Sequence, residues 1–198
     1  MHLEKYQHAP DFRVKDIFGK DVSLSGFRGR KTLLTFFRSV GCPVCNLRFH
    51  DLEKEFDFFK ANNLAFVAVY ASTPENMRKY ITSRYPDTAA FYPLMIPNLE
   101  RTLYKMYDIE SSTAKLIQSL LFHGGLAAVS QGKKLFKDKI ADDAPLNLIN
   151  SDFLIDEQGR ITAAYYGKVS GDFISVADIK KFASEKTNTN KISAVYQP

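Results

Sequence analysis

The sequence predicts an α/β fold, and two observations support this class. In the first half of the chain, short apolar runs alternate with segments of helical periodicity, an order typical of βαβ units. In the second half, two strand-like runs flank a turn, and a helical segment follows them. The 198 residues, 45% of them apolar, are enough to bury one core, so we expect a single domain over 1–198.

The first predicted elements are a small hairpin and a strand that leads into a helix. Residues 12–18 and 21–24 flank Gly19-Lys20, which is a turn signal between two extended runs. The apolar run 32–37 predicts a strand. A helix over 46–60 follows, because apolar residues recur there at offsets of three and four: Phe49, Leu52, Phe56 and Phe59.

A second strand and helix complete a βαβ unit. The continuous apolar run 64–70 is typical of a strand buried on both faces of a parallel sheet. Ser72 is a candidate cap, because a first-turn proline follows at 74 and Glu75 stands three residues after Ser72; this predicts a helix through about residue 84. We expect a short strand at 92–96 and a helix over 99–107 after it.

The end of the chain predicts a hairpin, a helix and a polar tail. Asp156-Glu-Gln-Gly159 joins two strand runs within 152–167, and its glycine can adopt a positive φ. Residues 175–184 have helical spacing of apolar side chains. The tail at about 185–198 is polar, and we expect it to be loosely held.

The two cysteines of the chain lie in Cys42-Pro-Val-Cys45, between the strand at 32–37 and the helix that follows. At a helix start, free N–H groups and the helix dipole stabilise a thiolate, so the pKa of Cys42 should fall below its ordinary value of about 8.5. A second thiol one helical turn away can then close a disulfide on it. This spacing predicts a redox pair.

Two other uses of the cysteines are disfavoured. A structural disulfide would close a very small loop and would therefore stabilise the chain little. A zinc site needs about four ligands, and the four histidines stand at no finger-like spacing: His2, His8, His50 and His123. We expect neither a metal nor a cofactor.

Two neighbours of the cysteines are candidates for shaping the site. Arg38 ends the strand before the motif, where it could add positive potential to the thiolate; alternatively it is a surface cation that extends into water. Pro43 stands at the first helical position, where its missing N–H would have no helical partner.

Residues 111–144 interrupt the simple alternation of strands and helices. They contain an amphipathic stretch, a Gly124-Gly125 pair and a lysine-rich piece. The pattern predicts a helical insertion before the last hairpin. Its role is either packing on the core or forming a lid or partner surface beside the thiols.

Charge and composition argue against several classes of protein. The chain has 27 basic and 22 acidic residues, a net charge of +5, and the basic residues are scattered, so we expect no nucleic-acid partner. No run approaches the ~18 apolar residues of a membrane span. The first six residues lack the apolar core of a signal peptide. Because a lone CxxC pair suits a reducing compartment, we expect a cytoplasmic location.

The chain carries six segments of one family pattern: Ala9-Pro-Asp-Phe12, 16–24, Phe27-Arg-Gly29, 33–37, Cys42-Pro-Val-Cys45 and 153–161. Together they resemble the AhpC/TSA (peroxiredoxin-like) branch of the thioredoxin superfamily. The resemblance covers roughly residues 9–184. It implies a thioredoxin-like fold with a central mixed β-sheet flanked by helices.

The resemblance leaves open which cysteine attacks first. In the peroxiredoxin pattern a Pro and a Thr precede the peroxidatic cysteine, and an Arg precedes a later strand. If Cys45 is peroxidatic, Arg38 takes the Pro place, Cys42 the Thr place and Asn150 the Arg place. In the thioredoxin-like alignment Cys42 attacks and Cys45 resolves, although Asn150 then replaces a cis-proline. Asn150 is accordingly either a substrate contact or a turn cap before the strand.

These observations predict a thiol oxidoreductase that cycles Cys42 and Cys45 between dithiol and disulfide. The family implies a hydroperoxide or protein-disulfide substrate, a thioredoxin-type or glutathione-type reductant and an antioxidant role, and it allows a homodimer. Because two family donors are replaced, we expect disulfide exchange with weak to moderate peroxidase activity. The alternative is a non-enzymatic redox-sensing or binding module, in which the pair switches the surface around 111–144.

Overall fold

A five-stranded mixed sheet forms the centre of the molecule. The computed structural model describes residues 2–84, 93–137 and 140–185. The strand order is β5-β4-β3-β6-β7, with β3 and β5 parallel to β4 and the other two pairs antiparallel. The five strands are β3 (Thr32–Phe37), β4 (Ala65–Tyr70), β5 (Leu94–Pro97), β6 (Ser151–Ile155) and β7 (Ile161–Tyr166). The predicted α/β class and mixed sheet are confirmed.

Both hairpins lie where the turn signals placed them. Before the sheet, β1 (Arg13–Lys15) pairs antiparallel with β2 (Asp21–Ser23). The turn between β6 and β7 contains Gly159 at φ +80°, a conformation that costs glycine no side-chain clash.

Burial on both faces explains the apolar runs of the central strands. Every residue of β3 and β4 is buried. Alternate side chains enter two cores, so that Leu33 and Phe37 lie in one and Leu34 and Phe36 in the other. A strand covered on both faces has no polar side to alternate with.

Seven α-helices are described in 2–84, 93–137 and 140–185, and several differ from their predicted bounds. The predicted helix 46–60 divides at Lys54-Glu55, where the Glu55 N–H donates to the Leu52 carbonyl (3.0 Å) in a closing turn. The helix expected at 99–107 is shorter because Arg101 takes a left-handed φ of +56°. The helices are α1 (Pro43–Glu53), α2 (Phe56–Ala61), α3 (Pro74–Arg84), α4 (Thr102–Met106), α5 (Thr113–Phe122), α6 (Gly125–Leu135) and α7 (Val176–Ser184).

The cap of α3 also differs from the prediction. Thr73, and not Ser72, is its cap, because the Thr73 hydroxyl accepts from the Asn76 N–H (3.1 Å). Of the strand expected at 92–96, the structure gives Leu94–Pro97, and Tyr92 lies outside the described residues. The predicted polar tail lies beyond residue 185 and is also outside them.

The insertion is helical, as predicted. Its two helices, α5 and α6, lie between β5 and β6 in the chain, and α6 packs against α1. Within the three described ranges, none of the helices combines the length and apolar character needed to cross a bilayer.

Candidate active site

The two cysteines lie at the junction of β3 and α1. Cys42 is the N-cap of α1, with an extended φ of −78°, and Pro43 occupies the first turn. The Cys45 N–H points at the Cys42 sulfur over 3.4 Å. Both thiols are free, with 6% of Cys42 and 4% of Cys45 exposed. The predicted junction therefore places one sulfur at the helix start and the other one turn inside.

The local field distinguishes the two thiols. A hydrogen bond from the Cys45 thiol lowers the pKa of Cys42 below its ordinary value; burial opposes this shift, and the positive charge of Arg38 adds to it. Burial raises the pKa of Cys45, and the neighbouring Cys42 raises it further. The geometry thus favours Cys42 as the thiolate and Cys45 as the protonated partner.

Arg38 is held beside this pair by an ion pair. Its guanidinium meets both carboxylate oxygens of Asp142, at 2.7 and 2.6 Å. Burial would lower the pKa of Arg38, but the charge of Cys42 and the bond to Asp142 outweigh it and raise that pKa. The interpretation of Arg38 as a surface cation in water is wrong, because only 8% of its side chain is exposed.

Asp142 and Asp143, at the end of the insertion, were not identified from the sequence. Asp142 also accepts from the Ser39 hydroxyl (2.6 Å). Asp143 accepts from the Ser72 hydroxyl (2.6 Å) and the Thr73 N–H (2.9 Å), after β4. Burial would raise the pKa of Asp143, yet these hydrogen bonds lower it. The two carboxylates fasten the insertion to the ends of β3 and β4.

The insertion also forms a cleft over Cys42. The cleft has a volume of about 420 Å³. Arg38, Cys42 and Pro43 line it. Its apolar lining comes largely from the insertion and the segment after it: Leu116, Leu120, Val129 and Leu146. Cys45 is not among the described residues that line it. The insertion thus packs on α1 through α6 and lines the cleft beside Cys42. A role as a lid or partner surface stays a prediction.

Asn150 lies apart from the cleft. Its amide donates to the Asp172 carbonyl, and its amide oxygen accepts from the Gly171 N–H (2.9 Å). A Cβ on Gly171 would lie 2.9 Å from a methyl of Val44. Asn150 therefore holds the loop at 171–172, after β7, and this loop touches the motif from one side. A role for Asn150 toward substrate stays a prediction.

A second buried charge pair lies behind α1. Arg48, one turn after Cys45, is 3.8 Å from Asp152. Burial raises the pKa of Asp152, and Arg48 partly opposes that shift. Elsewhere, no three His, Cys, Asp or Glu side chains among the described residues converge as a metal site requires.

A mixed thioredoxin-like sheet with a polarised thiol pair at a strand-to-helix junction defines a thiol-dependent oxidoreductase. A model of the AhpC/TSA family matches residues 6–164. The chain belongs to this family, as the resemblance implied.

Similar proteins agree with this assignment. A Helicobacter pylori protein named as a peroxiredoxin, bcp, is 25% identical over 164 residues, which span 83% of this chain and 88% of that protein. The structure of a thiol peroxidase from Chromobacterium violaceum has a TM-score of 0.61 at 14% identity, covering 91% of this chain and 86% of that one. The peroxidoxin BcpB of Mycobacterium tuberculosis gives 0.58 at 16% identity, covering 92% and 95%. At these identities the two structures support the fold.

Proposed function

We propose that this protein reduces hydroperoxides through a Cys42–Cys45 dithiol/disulfide cycle. The observation that carries the proposal is that Cys42 lines a cleft and interacts there with the Cys45 thiol and the Arg38 guanidinium. A lowered thiol pKa makes a thiolate available near neutral pH. Family membership supports a peroxide as the oxidant.

The proposed cycle uses the two thiols of the site for oxidation and an external thiol for reduction. The Cys42 thiolate attacks a peroxide oxygen, the O–O bond breaks, and the leaving alkoxide takes a proton, giving an alcohol and a Cys42 sulfenic acid. Cys45 loses its proton and attacks the Cys42 sulfur, so that water leaves and a disulfide forms. Two electrons from an external thiol reductant restore both thiols.

Arg38 is the cation that the site offers to the leaving oxygen. A preorganised donor of this kind is typically worth on the order of 10²–10³ in rate. The family Thr and Arg places hold Cys42 and Asn150, so we expect a weak to moderate peroxidase. Pro43 contributes by starting α1 directly after Cys42.

Disulfide exchange is the second candidate activity. The CxxC motif supports it, since exchange needs no donor for a leaving oxygen. Both cysteines are buried, which favours small disulfides over folded proteins as substrates. A non-enzymatic sensor would be oxidised once per stimulus, whereas an enzyme turns over. A cytoplasmic location and a homodimer stay predictions.

The test is a single-turnover oxidation followed by steady-state turnover. One equivalent of hydrogen peroxide should remove two hydrogens from the reduced protein by mass spectrometry, and a reductant should restore them. Cys45→Ser should stop at a sulfenic acid on Cys42, and Cys42→Ser should not react. If Cys42→Ser forms the sulfenic acid instead, Cys45 is the attacking thiol. If neither variant nor the parent reacts, the proposed function is wrong.

A further inference from the structure

The backbone of the insertion lies against both residues that flank Cys42. A Cβ on Gly41 would lie 2.8 Å from the Ala141 carbonyl oxygen, and a Cβ on Gly132 would lie 2.5 Å from that of Pro43. Neither contact leaves room for another chain. A reductant therefore approaches the sulfur through the cleft, not across the face of the motif.

The size of this cleft separates two classes of reductant. A reductant must attack a disulfide sulfur directly and pass through a mixed disulfide. A folded protein that carries its thiol on its own helix start needs an open surface of several hundred Å² for such contact. In the dithiol form, Cys42 is 6% exposed and lines a cleft of about 420 Å³, which instead fits a small molecule.

The charges that face the cleft indicate the character of that molecule. Arg38, Asp142 and Lys133 line the cleft, with the Cys45 thiol behind Cys42. Asp142 is bound by Arg38, so the two form an ion pair. Lys133 is exposed on α6 and adds a positive charge at the rim. A carboxylate on the incoming thiol would be attracted there.

We propose that the oxidised protein is reduced by a small anionic thiol that enters this cleft, and not by a protein dithiol. The proposal rests on the disulfide cycle described above. The incoming thiolate attacks the Cys42 sulfur, the Cys42–Cys45 bond breaks, and Cys45 leaves as a thiolate that takes a proton. A second thiolate attacks the sulfur of the bound small molecule, which releases the Cys42 thiolate and a small-molecule disulfide. Two small thiols thus supply the two electrons.

The experiment measures reduction of the disulfide form, prepared with diamide so that it does not depend on peroxide chemistry. Anionic 3-mercaptopropionate, neutral 2-mercaptoethanol and cationic cysteamine are compared at equal thiolate concentrations, alongside glutathione and a thioredoxin with its reductase. We expect the anionic thiol to be the fastest of the three and glutathione to outpace thioredoxin. A glutathione adduct should form on Cys42 in Cys45→Ser.

Two adjacent lysines provide the matched pair of variants. Lys133→Glu reverses the charge at the cleft and should slow the anionic thiol by about 5-fold relative to the neutral one, as expected for one partly exposed charge pair. Lys134→Glu, outside the cleft, should change that ratio by less than about 2-fold. Thioredoxin reducing the disulfide as fast as glutathione would overturn the proposal, and so would equal effects of the two variants. Failure of peroxide to form the disulfide at all would instead refute the proposed function.

Discussion

Gly132→Ala tests whether α6 seals the cysteine motif. The new Cβ would lie 2.5 Å from the Pro43 carbonyl oxygen, which is 0.9 Å short of the 3.4 Å at which ordinary contact begins. The atoms it meets belong mainly to the backbone, so α6 must move away from α1.

The expected stability change is the difference between two opposing effects. Alanine in a helix interior is favoured over glycine by about 1 kcal/mol. Overpacking costs about 1–3 kcal/mol. We expect a net loss of about 1 kcal/mol, which corresponds to a fall of about 2–4 °C in Tm for a chain of this size.

The same movement should expose Cys42, and this gives the more specific assay. The reduced protein is treated with a small alkyl thiosulfonate and with a bulky aromatic disulfide. The ratio of bulky to small reagent rates at Cys42 should rise in Gly132→Ala. Gln131→Ala, on the exposed side of α6, is the control and should leave both the Tm and the ratio nearly unchanged. A more stable Gly132→Ala protein with an unchanged ratio would refute the reasoning.

Three further predictions concern the two thiols and the buried side chains of Arg38 and Asp152. Iodoacetamide should label Cys42 before Cys45 at mildly acidic pH, because the hydrogen bond from Cys45 and the charge of Arg38 lower the pKa of Cys42. The labelling rate of Cys42 should rise with pH and reach its plateau below the ordinary pKa of a thiol. Arg38→Gln should move the midpoint of that profile upward and slow single-turnover oxidation by peroxide, read by peptide mapping and quenched flow. Asp152→Asn should gain stability relative to the parent as pH rises, because the folded-state pKa of Asp152 is raised. In the parent, the favourable contribution of Asp152 is complete below its unfolded-state pKa. This contribution is lost as the pH rises through the folded-state pKa. Urea unfolding at several pH values measures this difference.

Each of these three predictions would be contradicted by a specific result. First labelling of Cys45 would exchange the roles of the two thiols. An unchanged midpoint in Arg38→Gln, matching a Lys134→Gln control, would remove Arg38 from the site. A stability difference for Asp152→Asn that does not vary with pH would mean that this carboxyl titrates alike in the folded and unfolded chains.

Much of the fold is readable from local pattern. The runs 32–37 and 64–70 are apolar throughout because both faces of β3 and β4 are covered. The turn residue Gly159 acts within a few positions of the chain, so its effect is visible in the sequence. The predicted bounds of the helices were less accurate. The helix expected at 99–107 starts later because Arg101 adopts a left-handed conformation, which no short sequence pattern predicted.

Some features of the site follow from the sequence, and others depend on the tertiary structure. The sequence by itself determined that two thiols share one helical turn at a helix start, because Cys42 and Cys45 are neighbours in the chain and the dipole acts over that turn. Only the tertiary structure decided that Arg38 is buried, since its partner Asp142 lies 104 residues away. It likewise decided that α6 covers Pro43. Contacts between distant segments depend on how whole elements pack, and no local pattern encodes them.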